Sequence, residues 1–245
     1  MPGLNPATNL LLGALSKDDF ALLKPHLAEV RLVQKSILQE AGAPIRHAYF
    51  PVEGMISLLA TFETGEAIEI AAIGREGAVG TKLGFQPQLS FARAIVQLPG
   101  AAYKIDVERF QTAALKSLAI THASTCANEV MAANLQQSAA CNALHGVEAR
   151  LARWLLHARD RFGSNDLPLS HEFLSQMLGT RRTTVSLAAH TLQAAGVIDY
   201  KRAKVKITDR AALESISCDC YRTVRGNIEL IAKSAKAPSR PSRAE

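Results

Sequence analysis

Between Val30 and Ile105 the apolar residues fall in short runs: Val30 and Leu32, Ile37, Tyr49 to Val52, Met55 to Phe62, Ala67 to Ile73 and Ala92 to Leu98. Gly42, Pro44, Pro51, Gly54 and Gly65 break them. Runs of this length bounded by turn residues predict strands of a sandwich or barrel, with Glu63-Thr64-Gly65-Glu66 at a hairpin tip. Upstream, Ser16 is a good cap, Asp18 and Asp19 suit a first turn, and Phe20, Leu23 and Leu27 follow at helical spacing. Pro25 ends or kinks that helix near Lys24. The arm from Met1 to Leu15 carries Pro2, Gly3, Pro6 and Gly13 and is expected to be loosely ordered, its Leu10 to Leu12 patch needing a partner surface.

After Ile105 the period becomes helical. Asp106 can cap a helix beginning at Val107, and neither Gly nor Pro occurs from Ala101 to His145. The 28 residues from Leu118 to His145 would reach about 42 Å as a helix. Ala123, Ala127, Ala132 and Ala139 let one face approach another helix closely, so residues 108–145 are expected to form a dimerisation helix. Gly146 is a hinge candidate. Beyond it, Val147, Leu151, Trp154, Leu155 and Ala158 predict the buried face of a helix that leaves Arg150, Arg153 and Arg159 to water or phosphate and ends at Gly163-Ser164-Asn165-Asp166.

From Ser170 the pattern is helix, tight turn, helix. Phe173, Leu174, Met177 and Leu178 share one face, Gly179 interrupts, and Val185, Ala188, Ala189 and Leu192 resume. Ser170 caps the first helix and Thr180 is placed to cap the second, which opens Arg181-Arg182-Thr183-Thr184. A second helix entering a major groove presents its first residues to base edges, which requires long or hydroxylated side chains there. Val197 to Thr208 then reads as a short hairpin carrying Lys201, Arg202, Lys204 and Lys206, a wing for the DNA backbone. Ala211 to Lys233 is expected to be a closing helical segment, and 236–245 a disordered tail.

Charge supports this division. The chain has a formal net charge of +6, but Met1 to His145 holds 11 Lys and Arg against 12 Asp and Glu, whereas Gly146 to Glu245 holds 17 against 10. The excess lies on the segment with the helix-turn-helix, as expected where phosphates are to be met. No run of about 18 apolar residues occurs, so no membrane span is expected. The protein is expected in the cytoplasm, and its four cysteines suit a reducing compartment.

Other features point to chemistry less directly. In Gly74-Arg75-Glu76-Gly77-Ala78-Val79-Gly80 three glycines would let backbone amides approach an anion, and Arg93 follows on the next strand. With Thr81 these make an effector-site candidate: Gly74, Arg75, Glu76, Gly77, Gly80, Thr81 and Arg93. His122 and Cys126 share a helix face, as do Cys141 and His145, and Cys218-Asp219-Cys220 is a close pair. Buried cysteine commonly serves as a small apolar residue, so no metal and no cofactor are expected. Walker, nucleophile-elbow and His-Glu-x-x-His patterns are missing, and no enzyme is expected.

The order β-domain, long helix, winged helix-turn-helix resembles the Crp/Fnr family of bacterial transcription regulators over roughly Ser16 to Ile216. Tyr49-Phe50-Pro51-Val52-Glu53-Gly54, the Gly74 to Gly80 turn and above all Leu174 to Val185 carry the resemblance. It implies an α+β fold: an N-terminal β-roll resembling cyclic-nucleotide-binding domains at 1–107, the helix at 108–145, and a winged helix-turn-helix at 146–235. It also implies double-stranded DNA, a second copy of the chain, RNA polymerase and a small-molecule effector as partners. By resemblance Arg182, Thr183, Ser186 and Leu187 fall where the family reads bases, Arg182 facing a guanine; many members carry Arg where Leu187 stands. The DNA-contacting set is therefore Arg181, Arg182, Thr183, Thr184, Ser186, Leu187, Lys201, Arg202 and Lys204. The sequence departs from the family's cyclic-nucleotide pattern, with Gly80-Thr81 where Gly-Glu holds the ribose and Arg93-Ala94 where Arg-Ser or Arg-Thr holds the phosphate. No cysteine precedes Cys126, so the N-terminal iron–sulfur cluster of oxygen sensors has no counterpart. The competing expectation is a small-ligand receptor that acts through a protein partner and uses its basic domain for docking.

Overall fold

The computed structural model describes residues 3–84, 88–201 and 203–235; Arg202 and the expected tail at 236–245 lie outside the described residues. The chain opens with α1 (Leu10–Gly13) and α2 (Lys17–Leu23), the latter passing into a 3-10 turn at Lys24–His26, where Pro25 stops the helix. Five antiparallel strands follow, β1 (Ala28–Leu32), β2 (Ile37–Gln39), β3 (His47–Thr61), β4 (Ala67–Ile73) and β5 (Arg93–Asp106). They form a sheet in the order β1-β5-β3-β4, with β2 also pairing β5.

The arm is better ordered than expected. Leu11 and Leu12 are buried beside Leu23, Phe50 and Phe110, so their partner surface belongs to the same chain. Asn9 fastens the arm: its side-chain amide donates to the carbonyls of Pro51 and Gly77, both at 2.9 Å, while its oxygen accepts from the amides of Leu11 and Leu12.

The apolar runs broken at Pro51 and Gly54 turn out to be one strand. β3 pairs β5 along nearly its whole length and absorbs the breakers through register shifts at Pro51/Glu53 and Glu53/Met55. A Cβ on Gly54 (φ +84°) would lie 2.6 Å from the Leu98 carbonyl oxygen, so glycine is required at this crossing. The hairpin tip lies between β3 and β4, as the sequence indicates.

The expected continuous helix over 108–145 is corrected to two. α3 (Val107–Lys116), capped by Asp106, and α4 (Leu118–Leu144) are separated at Ser117, which is extended at φ −140°, ψ 116°. The Ser117 hydroxyl accepts from the Ile120 amide at 3.2 Å and donates to Asp19 at 2.6 Å, so a side chain from α2 fixes the break. α4 lays Ile120, Ala123, Ala127 and Val130 against its own β-domain.

α5 (Val147–Phe162) begins after Gly146 and ends at left-handed Gly163. Short β6 (Asp166–Leu167) leads to α6 (His171–Leu178) and α7 (Arg182–Ala194), then to the hairpin β7 (Ile198–Lys201) and β8 (Lys204–Ile207). The closing helical segment divides into α8 (Arg210–Ile216) and α9 (Cys220–Ser234), and α9 packs on α4. A single apolar cluster joins Met55, Leu59, Ala72 and Leu98 of the sheet to Leu151, Trp154, Leu155, Met177 and Tyr221 of the C-terminal unit.

α5 is enclosed on nearly every side, which corrects the expectation that Arg150 and Arg153 face water. Each is only 8% exposed, as is Arg161. The reason is tertiary: α5 touches α6, α7, α8 and α9 on one side and β3 and β5 on the other. No helix of the described residues is long and apolar enough to cross a membrane.

Candidate nucleic-acid interface

Local rules account for the helix-turn-helix. Ser170 accepts from the Phe173 amide at 3.2 Å to start α6, with Glu172 in the first turn. Gly179 at φ +57° reverses the chain, and the Thr180 amide closes α6 on the Ser175 carbonyl at 3.1 Å. Thr180 therefore ends α6 and does not cap α7. The residue flanking α7 is Arg181, extended at φ −66°, ψ 145°, with no side-chain cap bond. Arg150 of α5 donates to the Leu178 carbonyl, tying a buried guanidinium to the end of α6.

This places Arg181, Arg182 and Thr183 together on the exposed start of α7, with Thr184 half-buried behind them. Val185, Ala188, Ala189 and Leu192 bury the opposite face. Leu187 is 66% exposed and continues the outer face. Ser186 is turned to the fold: its hydroxyl lies 2.9 Å from His171 Nδ1 and donates to the Arg182 carbonyl at 3.0 Å. Sequence reasoning missed His171 as a positioning group. Its ring stacks on Tyr200 of the wing with centroids 3.9 Å apart, and its amide donates to the Tyr200 hydroxyl at 3.1 Å. Burial, aided by Arg182, lowers the His171 pKa. A lone aromatic in a basic hairpin gave no sign of this stack, since the partner is 29 residues away.

On the wing, Tyr200 pairs with Val205 and Lys201 with Lys204, and the turn passes through Ala203 at φ +62°. Lys201, Lys204 and Lys206 are exposed; Lys201 meets Asp199 at 2.9 Å. Arg202 lies outside the described residues. Facing the start of α7 across a cleft of about 710 Å³ is the β3–β4 tip, with Phe62, Gly65 and Glu66 on one wall and Arg181 and Arg182 on the other. Ile68 touches the turn so closely that a Cβ on Gly179 would overlap its side chain.

The effector-site residues are not one group in space. Gly74 and Glu76 face α5: the Glu76 carboxylate accepts from Arg161 Nε at 2.7 Å and from the Gly74 amide at 3.0 Å, and both charged side chains are less than a tenth exposed. Gly74 is there to let the Arg161 stem pass, since a Cβ would lie 2.7 Å from Arg161 Cγ. Arg75 opens to solvent beside Arg159, Asp160 and Arg210. Arg93 pairs with Glu40 at the surface at 2.7 Å. Gly80 and Thr81 instead line a cavity of about 250 Å³ between the sheet and α4, walled by Leu58, Ile70, Val79, Met131 and Leu135, with Gln39, Lys82, Ser90 and Asn128 as further polar members.

A second seam joins the sheet to α5. Trp154 Nε1 donates to Glu69 at 2.8 Å and Ser57 donates to the same carboxylate. The residue as a whole is partly exposed, but the carboxylate is turned inward, and loss of hydration pushes its pKa up despite these bonds.

Four further side chains converge elsewhere. Cys141 and His145 at the end of α4 meet Cys218 and Cys220 at the start of α9, with the four ligand atoms all within 4.8 Å of one another. Sequence spacing pairs them two by two; folding makes one cluster.

Residues 149–216 match the Crp-like helix-turn-helix domain. Over 181 residues the chain is 22% identical to the global nitrogen regulator of Synechococcus elongatus, covering 70% of this chain and 82% of that protein. The fold is similar to FixK2 from Bradyrhizobium japonicum, with a TM-score of 0.66 and 14% identity over 78% of this chain and 98% of that one. It is also similar to the c-di-GMP responsive global regulator CLP of Xanthomonas campestris, with a TM-score of 0.64 and 18% identity over 78% and 99%.

Proposed function

We propose that this chain, which carries a Crp-like helix-turn-helix domain at residues 149–216 within a Crp/Fnr-like fold, is a homodimeric, sequence-specific transcription regulator that answers a small molecule bound by its β-domain. The observation that carries the reading is the exposed start of α7, where Arg181, Arg182 and Thr183 stand free beside a wing bearing Lys201, Lys204 and Lys206. Arg182 reads a base edge, with two donors suited to guanine O6 and N7, and the wing lysines hold phosphates.

Two copies join through the outer face of α4, where Ala132, Ala139 and Ala143 are exposed and small enough for close approach. That arrangement presents two α7 helices to a two-fold symmetric site. The cavity beside Met131 and Leu135 suits a compact, mostly apolar effector, because its walls come from the sheet and from the same helix that dimerises. The β3–β4 tip faces the start of α7, where the walls of a major groove must close around that helix, so DNA engagement displaces the tip from α7.

Selection of bound sequences from a random duplex pool by the purified chain, at two salt concentrations, tests this. A two-fold symmetric motif is expected. Enrichment of no motif, together with capture of a protein by the basic face, supports docking in place of DNA reading.

A further inference from the structure

The cluster at the α4–α9 junction lies outside the DNA-reading surface, and all four of its members fall outside the matched domain, Cys141 and His145 before it and Cys218 and Cys220 after it. Cys141 and His145 are one helical turn apart, so both project from the same side of the last turn of α4. Cys218 closes the segment after α8, and Cys220 opens α9. The Sγ atoms of Cys141 and Cys218 are 3.5 Å apart, and Cys220 Sγ is 3.5 Å from His145 Nδ1. All three thiols are free.

We propose that these four residues bind one zinc-class ion, in a tetrahedral site of three thiolates and one imidazole that joins the end of α4 to the start of α9.

The spacing fits a single ion. Zinc–sulfur bonds of about 2.3 Å and zinc–nitrogen bonds of about 2.0 Å give tetrahedral edges of roughly 3.5 to 3.8 Å, close to the two separations above. The same crowding leaves no room for a cluster of several irons. Sulfur and imidazole donors select a borderline-soft ion over magnesium or calcium. The surroundings are those of a metal centre. His145 offers Nδ1 to the thiol side while its Nε2 faces the Asp219 carboxylate at 3.7 Å, the position of an outer partner to a ligating imidazole. Gln137 Nε2 donates to Cys220 Sγ at 3.0 Å. Three thiolates on a divalent ion leave one negative charge, and the buried guanidiniums of Arg150 and Arg153 lie near enough to act on these sulfurs. Their Nε atoms are buried without a hydrogen-bond partner, so charge is what they offer there.

The placement gives the ion a mechanical role. The C-terminal unit starts at Gly146, directly after His145, and its winged portion ends at Ile216, just before Cys218. One ion therefore ties the chain where it enters that unit to where it leaves. This does not depend on the DNA reading.

The test is elemental analysis and cobalt spectroscopy on the purified full chain. The chain is expected to hold one zinc per copy through dialysis, and the reduced, metal-stripped chain to take one cobalt with intense tetrahedral d–d bands and sulfur-to-cobalt charge transfer. Zinc is expected to be lost in a Cys218→Ser/Cys220→Ser variant and kept in Cys126→Ser. A reduced wild-type chain that takes up neither zinc nor cobalt overturns the proposal, whether or not the double variant folds. So does zinc retained by a folded double variant, or a Cys141–Cys218 disulfide whose reduction yields no metal-binding form.

Discussion

α5 carries four arginines and the start of α7 two in succession, and they are used in opposite ways. On α5, Arg161 is locked to Glu76, Arg150 ends on the Leu178 carbonyl, and Arg153 is buried beside the cysteine cluster. At the start of α7, Arg181 and Arg182 are exposed and enter no ion pair among the described residues. The first set is internal structure in an enclosed helix; the second is surface available to a ligand. A positive balance over Gly146 to Glu245 is thus an overcount of phosphate-binding capacity, because part of it is spent inside the protein.

The sharpest break of this contrast is Arg161→Ala. It strands the Glu76 carboxylate in a site that is 8% exposed, which costs about 3–5 kcal/mol and is measured as lost stability in urea. Arg182→Ala should do the reverse, leaving stability within about 0.5 kcal/mol while relaxing preference at one base of each half-site by about 1–3 kcal/mol, read by competition binding. Unchanged base preference would remove Arg182 from the reading set. Lys204→Ala is expected to weaken all duplexes alike and to reduce the slope of log affinity against log salt by about 1; a sequence-dependent effect would move the wing into base reading.

The smallest effect concerns Glu69, which holds the Trp154 side of α5. Its carboxyl is raised above the ordinary 4.5 by burial, so the folded chain keeps a proton that the unfolded chain has already released. Stability from this group therefore falls as pH rises from about 4.5 through the folded value. Glu69→Gln should flatten that part of the melting-temperature profile, and an unaltered slope would show that Glu69 titrates normally.

Much of the fold was legible from local patterns. The α6 cap at Ser170, the Gly179 turn, the wing and the β3–β4 tip all follow from residues close in sequence. What was hidden depends on contacts between distant segments. Asp19 breaks the central helix at Ser117 from 98 residues away, the burial of Arg150 and Arg153 needs the sheet on one side of α5 and the winged unit on the other, and Tyr200 finds His171 across the unit. Within the interface, the spacing of Arg181 to Thr183 was enough to place them at the exposed start of α7. For Ser186 it was not, because its hydroxyl is claimed by His171. The glycine-rich turn offered the same lesson: its apparent openness to an anion is taken by a glutamate and by the arginine stem that reaches it.

The apolar cluster that unites Met55, Leu59, Ala72 and Leu98 with Leu151, Trp154 and Tyr221 has a calorimetric consequence. A boundary drawn at Gly146 divides the chain by topology, yet the two sides cannot lose their packing separately. Heating should give one endotherm whose van't Hoff and calorimetric enthalpies agree, in place of two resolved peaks. By the same token, a cavity-forming substitution deep in the sheet, such as Leu59→Ala, lowers the melting point of the recognition helix as well.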